Sequence, residues 1–282
     1  MKYGVNLMLF GDRVDRAMLD GLPIAKEHGF DGVEVPIFDP EKLPVDELRL
    51  AAEKAGLRLT ASGALPPGAR FYGPDKEARR RAEDYVRGLV RTVAALDARV
   101  VCGPLYKPVG DMDDSLPLER QREETARAFT DLAPEAETAR VRLAFEPLNR
   151  FETNFMNTAS QGIDFCEKIG NPAAGLLLDA FHMHIEEKDS GDAVRKAAGA
   201  GRLFHFHASE NDRGVAGTGQ VAWRELGEAL RQVKYDDWVV LETFNQANEA
   251  IRTAVSCWRP FYPSETIFLR EGLAFVKRVI HP

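Results

Sequence analysis

Residues 141–182, VRLAFEPLNRFETNFMNTASQGIDFCEKIGNPAAGLLLDAFH, contain a complete strand–helix–strand unit. Arg142–Glu146 and Gly175–Asp179 are short β-rich apolar runs, and between them the pattern changes to a helical period over residues 158–169. Asn157 is placed to cap the start of that helix. Ile163, Cys166 and Ile169 share one face, and Gly170 followed by Pro172 stops it. The same alternation runs outward in both directions. Further strands are predicted at Tyr3–Met8, Gly32–Ile37, Leu57–Ser62, Arg99–Gly103, Arg202–His207 and Trp238–Glu242. Helical stretches fall at residues 14–28, 45–55, 75–96, 119–139, 190–199, 223–233 and 264–280.

Eight such units in 282 residues, with no linker or low-complexity tract, have the count and length of a (β/α)8 TIM barrel, an α/β fold with residues 1–282 as a single domain. A doubly wound sheet uses the same units. No strand–GxGxxG–helix opening is present, however, and the last unit has its own strand and helix, so the barrel is the better fit. The longest irregular stretches, Leu105–Leu118 and Asn245–Ser264, both follow a strand. They therefore belong on the face where barrels build active sites.

A hydrophobic content of 44% with 29% charged residues excludes wholesale disorder. The net charge of −7 argues against nucleic acid or an anionic membrane as partner, since both call for a basic face. The basic run Arg79-Arg80-Arg81 lies among Glu77, Glu83 and Asp84 and reads as a solvated helix face. Three scattered cysteines are too few for a disulfide scaffold or a thiolate zinc site. The first apolar stretch, broken by Asn6 and ended by Gly11-Asp12, is too short to span a membrane. A cytoplasmic protein is expected.

The chemistry collects in the second half. Of six histidines, His182, His184, His205 and His207 fall close together. The fifth to eighth strands each finish with a metal-competent side chain: Glu146, Asp179, His207 and Glu242. In a barrel these adjacent carboxyl ends converge. Three carboxylates and one imidazole suit Mn²⁺, Mg²⁺ or Co²⁺. A single acidic residue at a strand end is commonly a helix cap, but four in consecutive units, each after an apolar run, indicate one shared site. His205 shares a strand face with His207 but lies deeper, which suits a supporting or packing role. Glu152, His182 and Arg213 follow the ligands closely enough to hold substrate hydroxyl groups. Gly214–Gly219 lacks the Lys-Ser/Thr pair of a phosphate loop and reads as a turn. No Gly-x-Ser-x-Gly elbow is present, and Cys102 reads as a core thiol.

At these residues the chain resembles the ketose 3-epimerase family of xylose isomerase-like TIM barrels, typified by D-tagatose and D-allulose (psicose) 3-epimerases. EPLNRFETNFMNTASQG, LLLDAFHMHIEE and HFHASENDRGVAGTG are similar to three long family signatures, E-V-x-N-R-[FY]-E, L-D-T-[FY]-H-M-N-I-E-E and H-[FI]-H-x-x-E-x-x-R. The resemblance implies that Glu146, Asp179, His207 and Glu242 hold one divalent metal, commonly Mn²⁺, with Glu146 and Glu242 also acting as the acid/base pair. It implies that Glu152, His182 and Arg213 bind hydroxyls near C1 to C3 of a ketose of the D-fructose/D-allulose or D-tagatose/D-sorbose type, in a homodimer or homotetramer. Departures fall at Ala180, His184 and Thr243, and at Leu7-Met8-Leu9-Phe10, where many members carry an aromatic pair. These bear on substrate preference rather than on the reaction. Competing expectations are an aldose–ketose or hydroxypyruvate-type isomerase, a keto-inositol dehydratase, a metal-dependent hydrolase related to endonuclease IV, and a sugar-binding protein without turnover.

Overall fold

In the computed structural model, which describes residues 1–281, the apolar runs pair in chain order until the last meets the first. The strands are β1 (Lys2–Asn6), β2 (Gly32–Pro36), β3 (Arg58–Ser62), β4 (Val100–Gly103), β5 (Arg142–Phe145), β6 (Ala174–Asp179), β7 (Leu203–Ala208) and β8 (Trp238–Leu241). They form a closed, all-parallel barrel. Every strand is buried on both faces, which is why each reads as a nearly continuous apolar run.

Ten α-helices are present among the described residues: α1 (Arg16–Glu27), α2 (Val45–Ala55), α3 (Lys76–Ala95), α4 (Leu118–Thr138), α5 (Ala159–Ile169), α6 (Ala180–Glu186), α7 (Ser190–Gly199), α8 (Trp223–Gln232), α9 (Glu249–Ala254) and α10 (Glu265–Ile280). Eight match the periodic stretches within a few residues. The other two, α6 and α9, lie outside the predicted helices, α9 within the stretch Asn245–Ser264 that was expected to be irregular. Both are too short for two turns of periodicity to show. Asp179 caps α6 by accepting from Phe181 N at 2.6 Å, so the helix starts directly from the end of β6. The cap of α5 also differs from expectation. Thr158 is the N-cap and forms a capping box with Gln161. Asn157 instead donates its side-chain amide to Leu148 O and Thr153 O, tying down the loop after β5. Gly170 closes α5 in the left-handed region at φ 69°, as the sequence predicts.

Two apolar clusters divide the core. The larger lies between strands and helices and includes Val33, Val101, Phe145, Leu178, Phe206 and Leu241. A smaller plug fills the lower barrel interior: Val100, Cys102, Ala144, Leu177, Phe204, Trp238 and Val240. The plug needs glycine opposite its rings. A Cβ on Gly175 would lie 2.3 Å from the Phe204 ring, and one on Gly32 would lie 2.5 Å from Trp238. Above the plug the interior becomes polar, with Asn6, Glu34, Thr60 and Ser62 facing His205 and His207.

Candidate active site

The site stands on this polar layer at the carboxyl end of the barrel. Glu146 follows β5, Asp179 ends β6, His207 lies one residue before the end of β7, and Glu242 follows β8. All four are buried. Ligand atoms of Asp179, His207 and Glu242 lie within 4.8 Å of one another, and so do those of Glu146, Asp179 and His182. Asp179 is common to both groups and joins the two ends of the arc. His182, predicted as a hydroxyl binder, thus also sits beside the proposed ligands.

Arg213 links the carboxylates. Its Nη1 donates to Glu242 Oε2 at 2.8 Å, to Asp179 Oδ2 at 3.0 Å and to Ser209 Oγ at 3.0 Å. The guanidinium is clamped over the Phe181 ring at 3.8 Å, with Phe244 at 5.2 Å. The backbone of Arg213 is itself unusual, with φ 61°. A non-glycine residue there is strained and needs support from its surroundings. The support is visible. Thr243 Oγ1 donates to Arg213 O at 2.6 Å. Glu210 gathers the rest of the loop by accepting from Asn211 N, Gly217 N, Val221 N and Trp223 Nε1. Residues Gly214–Gly219 are therefore a turn with an N–H bound to Glu210, as their sequence suggests.

Each charge has a distinct environment. Burial, then the neighbouring charges of Glu242 and Asp179, push the Glu146 carboxyl well above the usual carboxylate range. Among the described residues no hydrogen-bond donor reaches that carboxylate, and His182 Nε2 stands off at 3.6 Å. Burial works against the charge on Asp179, yet Arg213 and His207 hold its carboxyl well below the usual range. Burial and then the Arg213 charge lower His182 to about 3, so its imidazole is neutral. Asn149 N donates to His182 Nδ1 at 3.0 Å, and Nε2 faces Glu146 and Arg213. Glu152, half-buried, accepts from Asn149 Nδ2 at 2.7 Å, and burial raises its carboxyl.

These residues suit a divalent cation. His207 Nδ1 is buried with no hydrogen-bond partner, 3.3 Å from Glu242 Oε1 and 3.7 Å from Asp179 Oδ2. A ring nitrogen set between carboxylate oxygens offers the mixed donor set that Mn²⁺, Mg²⁺ or Co²⁺ accepts. The site opens into a cavity of about 280 Å³. Its lining combines Glu146, Glu152, His182, His207, Arg213 and Glu242 with the apolar Met8, Phe38, Ala64, Val109, Ile251 and Val255. Each of the seven side chains singled out from the sequence is at this site, six of them in the cavity wall and Asp179 behind Arg213. His184 is exposed and outside it. Trp258 is 69% exposed and does not line the cavity.

Several further residues belong to the site. Glu34, wholly buried on β2, accepts from Asn6 Nδ2 at 2.9 Å and lies 2.7 Å from His205 Nε2 and 2.8 Å from His207 Nε2. The signal was one ionisable residue inside the apolar run of β2, at a position whose period points into the barrel. Cys102 is more than a core thiol: Sγ is 3.3 Å from Glu34 Oε2 and 3.7 Å from His207 Nε2. Asn149, Ser209 and Thr243 are ordinary polar residues that become positioning groups only through contacts distant in sequence.

Comparison with known proteins identifies the relatives of this chain. Residues 22–261 match the xylose isomerase-like TIM barrel family. A probable ketose 3-epimerase of Synechocystis sp. is 32% identical over 254 residues, covering 90% of this chain and 88% of the relative. A D-psicose 3-epimerase of Enterocloster bolteae is 36% identical over 219 residues, 77% of this chain and 72% of the relative. The crystal structure of a D-psicose 3-epimerase from Clostridium cellulolyticum H10 with D-tagatose superposes with a TM-score of 0.89 at 28% identity, covering 100% of both chains.

Proposed function

The chain belongs to the ketose 3-epimerases of the xylose isomerase-like TIM barrel family, and from that premise we propose that it inverts C3 of a free ketohexose of the D-fructose/D-allulose or D-tagatose/D-sorbose type. The observation that carries the reading is the meeting of Glu146, Asp179, His207 and Glu242 beside one cavity, with the buried His207 Nδ1 lacking any other partner. Glu146, Asp179, His207 and Glu242 are the metal ligands in this reading, and Mn²⁺ is the cation, with Co²⁺ and Mg²⁺ as alternatives of the same donor preference. Bound there, the cation supplies Lewis-acid stabilisation of the charge that develops on the substrate carbonyl oxygen.

The protein's own groups carry the protons. Epimerisation removes the C3 proton from one face and delivers one to the other, which calls for two carboxyl groups lining one cavity. Glu146 and Glu242 fill those roles, and general acid–base catalysis of this kind is worth roughly 10² to 10⁴ in rate. Burial and the neighbouring Glu242 charge raise the Glu146 carboxyl, so it holds a proton more readily than an exposed carboxyl would. His182 presents Nε2 to a substrate oxygen. Arg213 Nη2, 3.2 Å from that nitrogen, adds a fixed positive charge. Glu152 accepts from a sugar hydroxyl. The apolar part of the lining excludes water, which strengthens each of these interactions.

A free sugar is favoured over a phosphorylated one because Arg213, the only Lys or Arg among the described residues lining the cavity, is already paired with two carboxylates. Residues 1–282 act as one catalytic domain. No helix among the described residues is long and apolar enough to cross a membrane, and the three cysteines are buried and unpaired. The buried, unpaired thiols favour a reducing, cytoplasmic setting, and the net charge of −7 argues against a nucleic-acid or anionic-membrane partner. Phe151, 76% exposed, and Trp258 are apolar surface suited to a homodimer or homotetramer contact.

The test is incubation with D-fructose or D-tagatose and Mn²⁺ in D₂O, followed by NMR. Deuterium at C3 together with a new ketose is the expected result. Deuterium at C1 or C2 with formation of an aldose would replace the reading with an aldose–ketose isomerase, and no exchange would remove catalysis on ketoses altogether.

A further inference from the structure

We propose that Glu34 is the positioning residue that fixes the tautomer and direction of His207, so that a carboxylate on the far side of the barrel sets the nitrogen available to the metal. The inference rests on the reading of His207 as a ligand. Glu34 belongs to β2, and nothing in the chemistry above uses it.

The geometry leaves Glu34 one role. Its side chain has no solvent exposure. Oε1 lies 2.8 Å from His207 Nε2 and accepts from Asn6 Nδ2 at 2.9 Å. Oε2 lies 2.7 Å from His205 Nε2 and accepts from Thr60 Oγ1 at 3.2 Å and Cys102 Sγ at 3.3 Å. Every neighbour is a donor. An ionised carboxylate only accepts, so the proton facing it stays on His207 Nε2. The other ring nitrogen is then the one free to give a lone pair, and Nδ1 is the buried atom without a partner beside Asp179 and Glu242. A carboxylate behind a ligating histidine fixes ring orientation and raises ligand basicity.

The same cluster invites another interpretation. Ligand atoms of Glu34, Cys102, His205 and His207 also lie within 4.8 Å of one another, as a second ion would require. The distances decide against it. Two ligands on one tetrahedral ion, each with a bond of about 2.0–2.1 Å, stand about 3.3 Å apart. Both imidazole-to-carboxylate distances, 2.7 and 2.8 Å, are hydrogen-bond lengths. Protons hold this cluster together, and it faces one metal from behind.

The experiment uses full-length protein with ¹⁵N-labelled histidine, titrated with Mg²⁺ and observed by NMR, alongside Mn²⁺ binding measured by electron paramagnetic resonance. In the wild type, His207 Nε2 should keep its directly bonded proton at saturation while the Nδ1 resonance moves, with one ion per chain. Glu34→Ala should lose the fixed Nε2–H signal and weaken Mn²⁺ binding by about 10- to 100-fold. Glu34→Gln keeps the size and one carbonyl acceptor, so its affinity should fall between the two. This isosteric variant decides the matter if the alanine protein does not fold. Mn²⁺ affinity within twofold of wild type in a folded Glu34→Gln protein, or two ions per wild-type chain, would overturn the proposal. His207→Ala separates the two levels: unchanged Mn²⁺ affinity there sinks the ligand assignment itself, and with it the functional reading.

Discussion

The two halves of the barrel rim differ in kind. Strands β5 to β8 end in Glu146, Asp179, His207 and Glu242, whereas the rim above β1 to β4 presents Met8, Phe38, Ala64 and Val109. One half holds charge and the other excludes water. Below the rim the contrast reverses, because β1 to β3 contribute the buried polar groups Asn6, Glu34, Thr60 and Ser62, which β7 meets with His205 and His207. A metal site needs both layers: ligands that face the cation, and acceptors behind them that hold the ligands in place. The apolar half gives no chemistry of its own, but it keeps the dielectric low around the charges opposite.

This division can be tested by the sizes of mutational effects. The largest is expected in the charged half. Glu146→Gln and Glu242→Gln should each reduce turnover by about 10³-fold or more, measured as deuterium exchange at C3; near-normal exchange in either would remove that residue from the acid/base pair. Arg213→Lys replaces a planar fork by a point charge that cannot meet Asp179, Glu242 and Ser209 together. We expect kcat/KM to fall by about 10²-fold. On the apolar side, Val109→Ala should raise KM a few-fold with kcat retained, the signature of lost uniform binding worth about 1 kcal/mol. If kcat fell there as far as in Arg213→Lys, the two halves would not divide the work.

Stability supplies a further test, through its pH dependence. In the metal-free protein His182 is lowered to about 3 by burial and by Arg213, whereas an unfolded histidine titrates near 6.5. Between those values the unfolded chain binds a proton that the folded chain does not. Stability therefore declines as pH falls through that window, with a slope of at most about 1.4 kcal/mol per unit for this group. Denaturant melts of wild type and His182→Asn should diverge in this way, the variant losing less on acidification. Parallel pH profiles would show that His182 is protonated in the folded protein.

Much of the site was legible because it follows strand ends. Glu146, Asp179, His207 and Glu242 each close an apolar run, a local pattern, and a barrel brings such ends together whatever the intervening helices are. Glu152, His182 and Arg213 follow within a few residues and were found for the same reason. The cap of α5 was missed by one residue because Asn157 and Thr158 are both good caps, and only the loop contacts of Asn157 decide between them. The helices α6 and α9 were missed because they are short.

The sequence by itself determined the period of each element, the order in which strands and helices alternate, and the identity of the groups at the strand ends. Backbone sterics and apolar periodicity act over a few residues, so a linear reading is enough for them. Only the tertiary structure decided that Glu34 meets His205 across 171 positions of chain, that Arg213 is held at positive φ by Thr243, and that part of the cavity lining is apolar. Those contacts arise when the barrel closes and pairs residues that share no local pattern; their energies depend on burial and distance, which no stretch of sequence contains.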